Sequence, residues 1–245
     1  MAHNIIVGAS SAIAQALAAI LIEKTDEDLV LISRSPKLPK QCKNDGNRVS
    51  LLDSDYSEKS IEKTVNALPK NSDCRRVFIF NGQLHHNNMQ PEKKLEDFNL
   101  DNFNQVIASN TLTPMLWIRF LVDHLKHPTP CLLTVLSARV GSISDNKLGG
   151  WYSYRASKAA LNMLLKTASI EYARRAKNVR FNVFHPGTTD TPLSKPFQKN
   201  VPHSKLFTPE FVAKCLFSLT QKRLDNMTQD NKIEFYDWQN KPIDW

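Results

Sequence analysis

The chain has 245 residues, 32 Lys and Arg against 24 Asp and Glu, a formal net charge of +8, and 41% hydrophobic residues. That length and apolar content suit one sizeable α/β domain or two small ones, and no apolar run approaches the roughly 18 residues that span a bilayer. The basic residues are spread along the chain without a basic helix or an Arg/aromatic repeat. This argues against a nucleic-acid partner and leaves either a solvated basic surface or a site for a polyanionic small molecule.

The start, Met1-Ala2-His3-Asn4, has no basic segment before its apolar run, so no signal peptide is expected. Cys42, Cys74, Cys131 and Cys215 are far apart and form no Cys-x-x-Cys, which fits reduced thiols in a cytoplasmic protein. The histidines suggest no metal site, because no Cys or acidic cluster joins His85-His86 or His124 and His127 at ligand spacing.

Short β-branched runs alternate with helical patterns along the chain. Strands are expected at 4–7, 29–33, 48–52, 77–80, 131–137, 179–184 and 232–235. Helices are expected at 12–24, 57–68 with Ser57 as N-cap, 101–124, 152–175 and 209–221. The 101–124 helix must bend or tolerate Pro114. Such alternation implies a doubly wound parallel sheet with helices on both faces and ligands at the strand C-termini. Two long loops are expected, 35–47 and 188–208; the second is a candidate substrate lid or a plain surface loop.

Tyr154 and Lys158 are four apart in a helical stretch, so they share a face. An ammonium beside a phenol favours the phenolate and lowers a pKa that is otherwise about 10, which would suit a general acid or base. The first strand runs into Val7-Gly8-Ala9-Ser10-Ser11-Ala12-Ile13-Ala14. A small-residue turn of this kind lets backbone N–H groups approach a pyrophosphate at the start of a helix. Ala12 and Ala14 stand where such a turn usually has glycines.

In this order the segments resemble the short-chain dehydrogenase/reductase family. Residues 8–14 look like its cofactor turn, Asn81-Gly82 like its abbreviated Asn-Asn-Ala-Gly motif, and Asn110 like its helix asparagine. Tyr154 and Lys158 look like its Tyr-x-x-x-Lys pair, and Pro186-Gly187 with Thr191 like its Pro-Gly motif. Within the family, residues 137–143, 149–155 and the Phe235-Tyr236-Asp237-Trp238 … Trp245 ending are most similar to the C-factor and Sniffer-type carbonyl reductases.

The resemblance implies a single dinucleotide-binding domain over 1–245 and hydride transfer between a nicotinamide and a carbonyl or alcohol. Tyr154 is the implied proton donor. Lys158 lowers its pKa and holds the nicotinamide ribose, Asn110 holds a relay water, and Ser137 polarises the carbonyl. Gly8, Ser10, Ser11, Ala12, Ile13, Asn81, Gly82, Pro186, Gly187, Thr189 and Thr191 would line the cofactor. The family's second serine after the fifth strand falls on Ala138, so Ser137 faces the other way if it lies on a strand, and Ser142 is an alternative. Ser33 and Arg34 close the second strand without a carboxylate, which favours NADP(H) over NAD(H). Asp55 and Tyr56 would contact the adenine, with Asp53 an alternative register. A homodimer or homotetramer is implied, paired through helices 101–124 and 152–175. The competing reading is a dinucleotide-binding signalling or regulatory protein with weak or no catalysis, motivated by Ala12 and Ala138.

Overall fold

The computed structural model describes residues 2–39, 46–70, 72–86, 88–227 and 232–245. Cys42 and the middle of the expected 35–47 loop lie outside the described residues. Strands β1 (Ala2–Val7), β2 (Asp28–Ser33), β3 (Val49–Asp53), β4 (Asp73–Ile79), β5 (Cys131–Leu136), β6 (Val179–His185) and β9 (Glu234–Asp237) form one sheet. Its order is β3-β2-β1-β4-β5-β6-β9, and every neighbouring pair is parallel. Two further strands, β7 (Thr188–Thr189) and β8 (Leu206–Phe207), make a small separate ribbon.

The helices are α1 (Ala12–Lys24), α2 (Glu58–Asn66), α3 (Leu100–Ile107), α4 (Thr113–His124), α5 (Tyr152–Arg175) and α6 (Pro209–Asp225). Most central strands are buried on both faces, as βαβ crossovers demand. Ile5, Val7, Val30, Ile32 and Val77 face a core shared with Trp117, Leu121, Leu161 and Leu165. Ile6, Leu29, Leu31 and Phe78 face the other core, with Leu17, Leu21, Val212 and Leu216. The strand order reverses between β1 and β4, so their C-terminal ends open a crevice there.

Local chemistry sets the helix starts. Ser57, Asn99 and Thr208 each accept an N–H from three residues on, from Ser60, Asn102 and Phe211. The expected 101–124 helix is two helices joined by a π turn, Ala108–Leu112. Pro114 causes the break: it has no N–H for the Asn110 carbonyl, and its ring would crowd that carbonyl in an α-helix. β4 begins four residues earlier than the apolar pattern suggested. Arg76 is buried in it and pairs with Glu27 at 2.5 Å, so a charged residue sits inside a core strand. The expected 188–208 loop is folded, with the β7/β8 ribbon and 3₁₀ turns at Lys195–Asn200 and His203–Lys205.

Candidate active site

Gly8 adopts φ +79°, and a Cβ there would lie 3.1 Å from the Phe80 carbonyl carbon and 3.2 Å from the Asn81 nitrogen. Only glycine both takes that φ and lets the β1–α1 turn rest on the end of β4. The Gly8 and Ala9 amides donate to the Ile32 carbonyl at 2.9 and 3.0 Å and stitch the turn to β2. Ser11 is the N-cap of α1 but makes no side-chain cap bond, and the first turn holds no acid. Its N–H groups are therefore suited to an anion. Ser11 and Ile13 line the crevice; Ser10 is exposed beside it, and Ala12 is half-buried. Asn81 is buried, with a side-chain oxygen that has no hydrogen-bond partner. A buried orphan acceptor at the crevice calls for a donor from a ligand. Together these features fit a dinucleotide.

α5 carries Tyr154 and Lys158 to the same crevice. The Lys158 ammonium is buried, donates to the Leu136 carbonyl at 3.1 Å, and lies 5.9 Å from the Tyr154 ring centroid. Burial pushes the Tyr154 phenol up to about 12 and the Lys158 amine down to about 8. The expectation that Lys158 lowers the Tyr154 pKa is thus corrected for the protein alone: desolvation dominates both groups. Tyr154 keeps some accessible surface toward the cleft.

Asn110 is fully buried on the π turn, a common place for functional residues. Its side chain accepts from the Gln83 amide at 2.6 Å and donates to the Gln83 carbonyl and to Ser157 Oγ. Ser157 in turn donates to the Tyr154 carbonyl. Asn110 therefore clamps the loop after β4 to α5, and its side chain is committed. Gly82 sits between them: a Cβ there would lie 3.6 Å from Lys158 Nζ and 3.7 Å from Asn110 Oδ1. Ser137 donates its hydroxyl to Asn162 Oδ1 at 2.7 Å. Its proton is spent on α5, and Ala138 stands beside it at the cleft wall. Ser142 is buried against Ser144 and the Asp145 amide and does not line the cleft.

Pro186, Gly187, Thr189 and Thr191 line the opposite wall. Gly187 has φ +69°, and a Cβ there would meet Phe207 at 2.7 Å and Trp238 at 2.9 Å. The crevice encloses about 340 Å³ and is lined mainly by apolar side chains. Of the other lining residues, Leu84 and His185 carry no motif, Leu193 and Phe197 fall in the 188–208 loop, and Val140 and Trp151 in the 137–143 and 149–155 segments. His185 lies just before Pro186; burial, then the nearby Arg139, lowers it to about 4, so it is neutral.

At the far end, Arg34 is exposed at the end of β2, with its guanidinium 5.9 Å from the Tyr56 ring centroid. Among the described residues it has no acidic partner within ion-pair distance. Ser33 is fully buried and accepts from the Ser35 amide, so its hydroxyl is not displayed beside Arg34 as expected. Asp55 is exposed, and its carboxylate accepts from the Ser57 amide at 2.8 Å; hydrogen bonding to the Ser57 side chain first, and then to that amide, lowers its pKa and commits it to the start of α2. Tyr56 adopts φ +70° and packs edge-on against Trp117. Asp53 is exposed at the end of β3.

A family model described as short chain dehydrogenase matches residues 2–202. The chain belongs to the short-chain dehydrogenase family. Members are oxidoreductases whose fold binds a nicotinamide dinucleotide. Among curated relatives, the 1-hydroxy-2-glutathionyl-2-methyl-3-butene dehydrogenase of Rhodococcus sp. (strain AD45) is 34% identical over 135 residues, 55% of either chain. A benzil reductase ((S)-benzoin forming) of Bacillus subtilis (strain 168) is 24% identical over 91% of this chain and 94% of its own. The C-signal of Myxococcus xanthus is 25% identical over 62% of this chain and 83% of its own. Among solved structures, a short-chain dehydrogenase/reductase from Burkholderia multivorans with bound NADP superposes with TM-score 0.83 at 21% identity over 100% of both chains. The carbonyl reductase Sniffer of D. melanogaster does so with TM-score 0.80 at 17% identity, again over 100% of both. These structures establish the fold, and the narrower likeness to C-factor and Sniffer-type proteins agrees with the sequence reading.

Proposed function

We propose that this protein is an NADP(H)-dependent reductase of small carbonyl compounds, with residues 1–245 acting as one dinucleotide-binding unit. The observation that carries the reading is the convergence of Tyr154, Lys158, the start of α1 and the orphan Asn81 oxygen on one crevice. When bound, the reduced nicotinamide supplies a hydride to the carbonyl carbon. Tyr154 gives its proton to the carbonyl oxygen, so that C=O becomes an alcohol. Burial keeps that phenol protonated at neutral pH, which suits an acid. Lys158 holds the nicotinamide ribose, and its charge near the phenol stabilises the tyrosinate left after transfer. The Asn110 carbonyl, which Pro114 cannot bond, is the group left to hold a relay water. Because Ser137 is committed to Asn162, Tyr154 is the principal donor to the carbonyl oxygen.

Gly8, Ser10, Ser11, Ala12 and Ile13 would hold the pyrophosphate. Gly82, Pro186, Gly187, Thr189 and Thr191 would face the nicotinamide, and Tyr56 the adenine. Arg34, exposed and free of an acid among the described residues, supports the 2′-phosphate and hence NADP(H). The NADP printed for the Burkholderia neighbour agrees. Leu112, Met163 and Ile170 are exposed on the π turn and α5, which supports a homodimer or homotetramer through these elements. No helix of the described residues is long and apolar enough to cross a membrane, which is compatible with a cytoplasmic site of action.

Tyr154→Phe tests the reading. Turnover of carbonyls should fall by roughly 10²–10⁴-fold, the usual contribution of general acid catalysis, while NADPH affinity is retained. Near-normal turnover by the variant would remove Tyr154 from the reaction. Cofactor binding without turnover by the unaltered protein would favour the signalling alternative.

A further inference from the structure

We propose that Trp151 and Phe197 form an aromatic slot that selects uncharged aryl carbonyl compounds; the proposal rests on the reductase reading above. The starting observation is a backbone outlier. Trp151 adopts φ +54°, in the left-handed region, directly after Gly149 at +66° and Gly150 at +65°. A bulky side chain is rare there and persists only where its surroundings hold it.

The surroundings do hold it. The Trp151 amide donates to the Glu92 carbonyl at 2.5 Å. Arg155 grips the Gly150 and Gly149 carbonyls at 2.9 and 3.1 Å. The buried Glu92 carboxylate accepts from the Ser153 amide and hydroxyl, which fixes the first turn of α5. Starting a helix does not require tryptophan. Trp151 is the N-cap yet makes no side-chain cap bond, and Ser, Asp or Asn would cap better. The strained conformation instead sets the indole at the cleft.

There the indole stands edge-on to Tyr154, with centroids 6.1 Å apart at 79°, and to Phe197, at 5.2 Å and 62°. Phe197 comes from the 3₁₀ turn over the cleft and is braced by the His85 ring at 5.6 Å. His85 Nε2 lies 3.2 Å from the Pro192 and Leu193 carbonyls, so the two sides of the mouth are tied together.

Charge sets the second half of the selection. Lys158 is the charged side chain among the lining residues, and it donates to Leu136. Arg139 pairs with Asp237 at 3.2 Å and Lys195 with Asp190 at 3.6 Å, so neither awaits a substrate carboxylate. With Lys158 on the nicotinamide ribose, as the reductase reading has it, a carboxylate brought into this apolar cleft would lose hydration without gaining a partner. A flat ring gains edge-to-face contacts beyond its buried area, enough for roughly tenfold in affinity.

The test compares kcat/KM for 1-phenyl-1,2-propanedione, 2,3-butanedione and phenylglyoxylate, with NADPH and NADH, in wild type, Trp151→Asn and Phe197→Leu. Asn tolerates the left-handed conformation, so the fold is kept while the ring is lost. The wild type should favour the aryl diketone by roughly tenfold or more over butanedione, on the ring contacts above, and over phenylglyoxylate, whose carboxylate finds no partner in the cleft. Each variant should lose most of the ratio to butanedione, through KM, and keep the ratio to phenylglyoxylate. A wild type that prefers butanedione or phenylglyoxylate, or a ratio to butanedione unmoved in both variants, would overturn the slot. If no carbonyl is reduced with either nucleotide, the reductase reading fails. Calorimetric binding of 1-phenyl-1,2-propanedione then decides the slot alone: binding lost in Trp151→Asn supports it, and absent or unaltered binding overturns it.

Discussion

Replacing Lys158 by Met should stabilise the protein near neutral pH while abolishing its chemistry. The ammonium is 3% exposed, has no carboxylate partner among the described residues, and is held by one carbonyl, that of Leu136. Burial lowers its pKa from 10.5 to about 8, so the folded protein disfavours the charged form. At about 1.4 kcal/mol per tenfold, that fall corresponds to about 3 kcal/mol of cost at pH 7. Met fills a similar volume without charge. It leaves the Leu136 carbonyl without its donor, but Leu136 lines the cleft, where water can replace the bond, so this loss is about 1 kcal/mol. The net gain is about 2 kcal/mol, or roughly 4–8 °C in Tm for a chain of this size. The sign fixes the pH window. The folded pKa lies below the unfolded one, so the unfolded chain holds more protons between about 8 and 10.5, and wild-type stability from this group rises with pH there. The advantage of Lys158→Met should therefore shrink as pH rises above 8. The assay is urea unfolding of both proteins at pH 7.0, 8.5 and 9.5, where the difference between them cancels other titrating groups. A variant less stable than wild type at pH 7, or a difference that does not change with pH, would show that Lys158 carries no desolvation cost.

Two further outcomes follow from the same physics. Arg34→Asp should weaken NADPH binding about tenfold or more, because a charge-assisted hydrogen bond contributes roughly 1.5–3 kcal/mol, and should leave NADH affinity little changed; equal loss of both, measured at fixed ionic strength, would make Arg34 structural. Acid should destabilise the fold early: burial, above all, lowers His3 to about 4, His185 to about 4, and His124 below 6.5. The native state then binds fewer protons than the unfolded chain below pH 6.5, so stability falls as pH drops toward 4, by up to ~1.4 kcal/mol per pH unit for each group. His3 and His124 bring their Nε2 atoms within 3.4 Å, so His124→Gln should flatten the stability profile between pH 6.5 and 5; an unaltered slope would count against it.

Much of the architecture was legible in the residues, because it depends on local chemistry and periodicity. The alternation of β-branched runs and helical patterns specifies the parallel sheet, since strands joined by helices can be buried only with those helices on both faces. α1 and α5 fall at 12–24 and 152–175, where the small-residue turn and the helix-forming run place them. Ser57 caps α2 as its type predicts. Gly8 and the Tyr154–Lys158 spacing likewise depend on steric and helical rules that hold whatever surrounds them.

What only the tertiary structure decided involves partners distant in sequence. The direction of the Tyr154 and Lys158 pKa shifts follows from how much protein surrounds them, and spacing alone pointed the other way. Arg76 belongs inside β4 because Glu27, forty-nine residues earlier, meets it there. Ser137 is spent on Asn162, and Asp55 on the start of α2, so hydroxyl and carboxylate types that looked available are committed. Trp151, in the 149–155 segment, and Phe197, in the 188–208 loop, meet only when α5 and the folded segment after β6 are brought over one crevice. Desolvation, hydrogen-bond commitment and aromatic contact are properties of an environment, and an environment is assembled only when the chain folds.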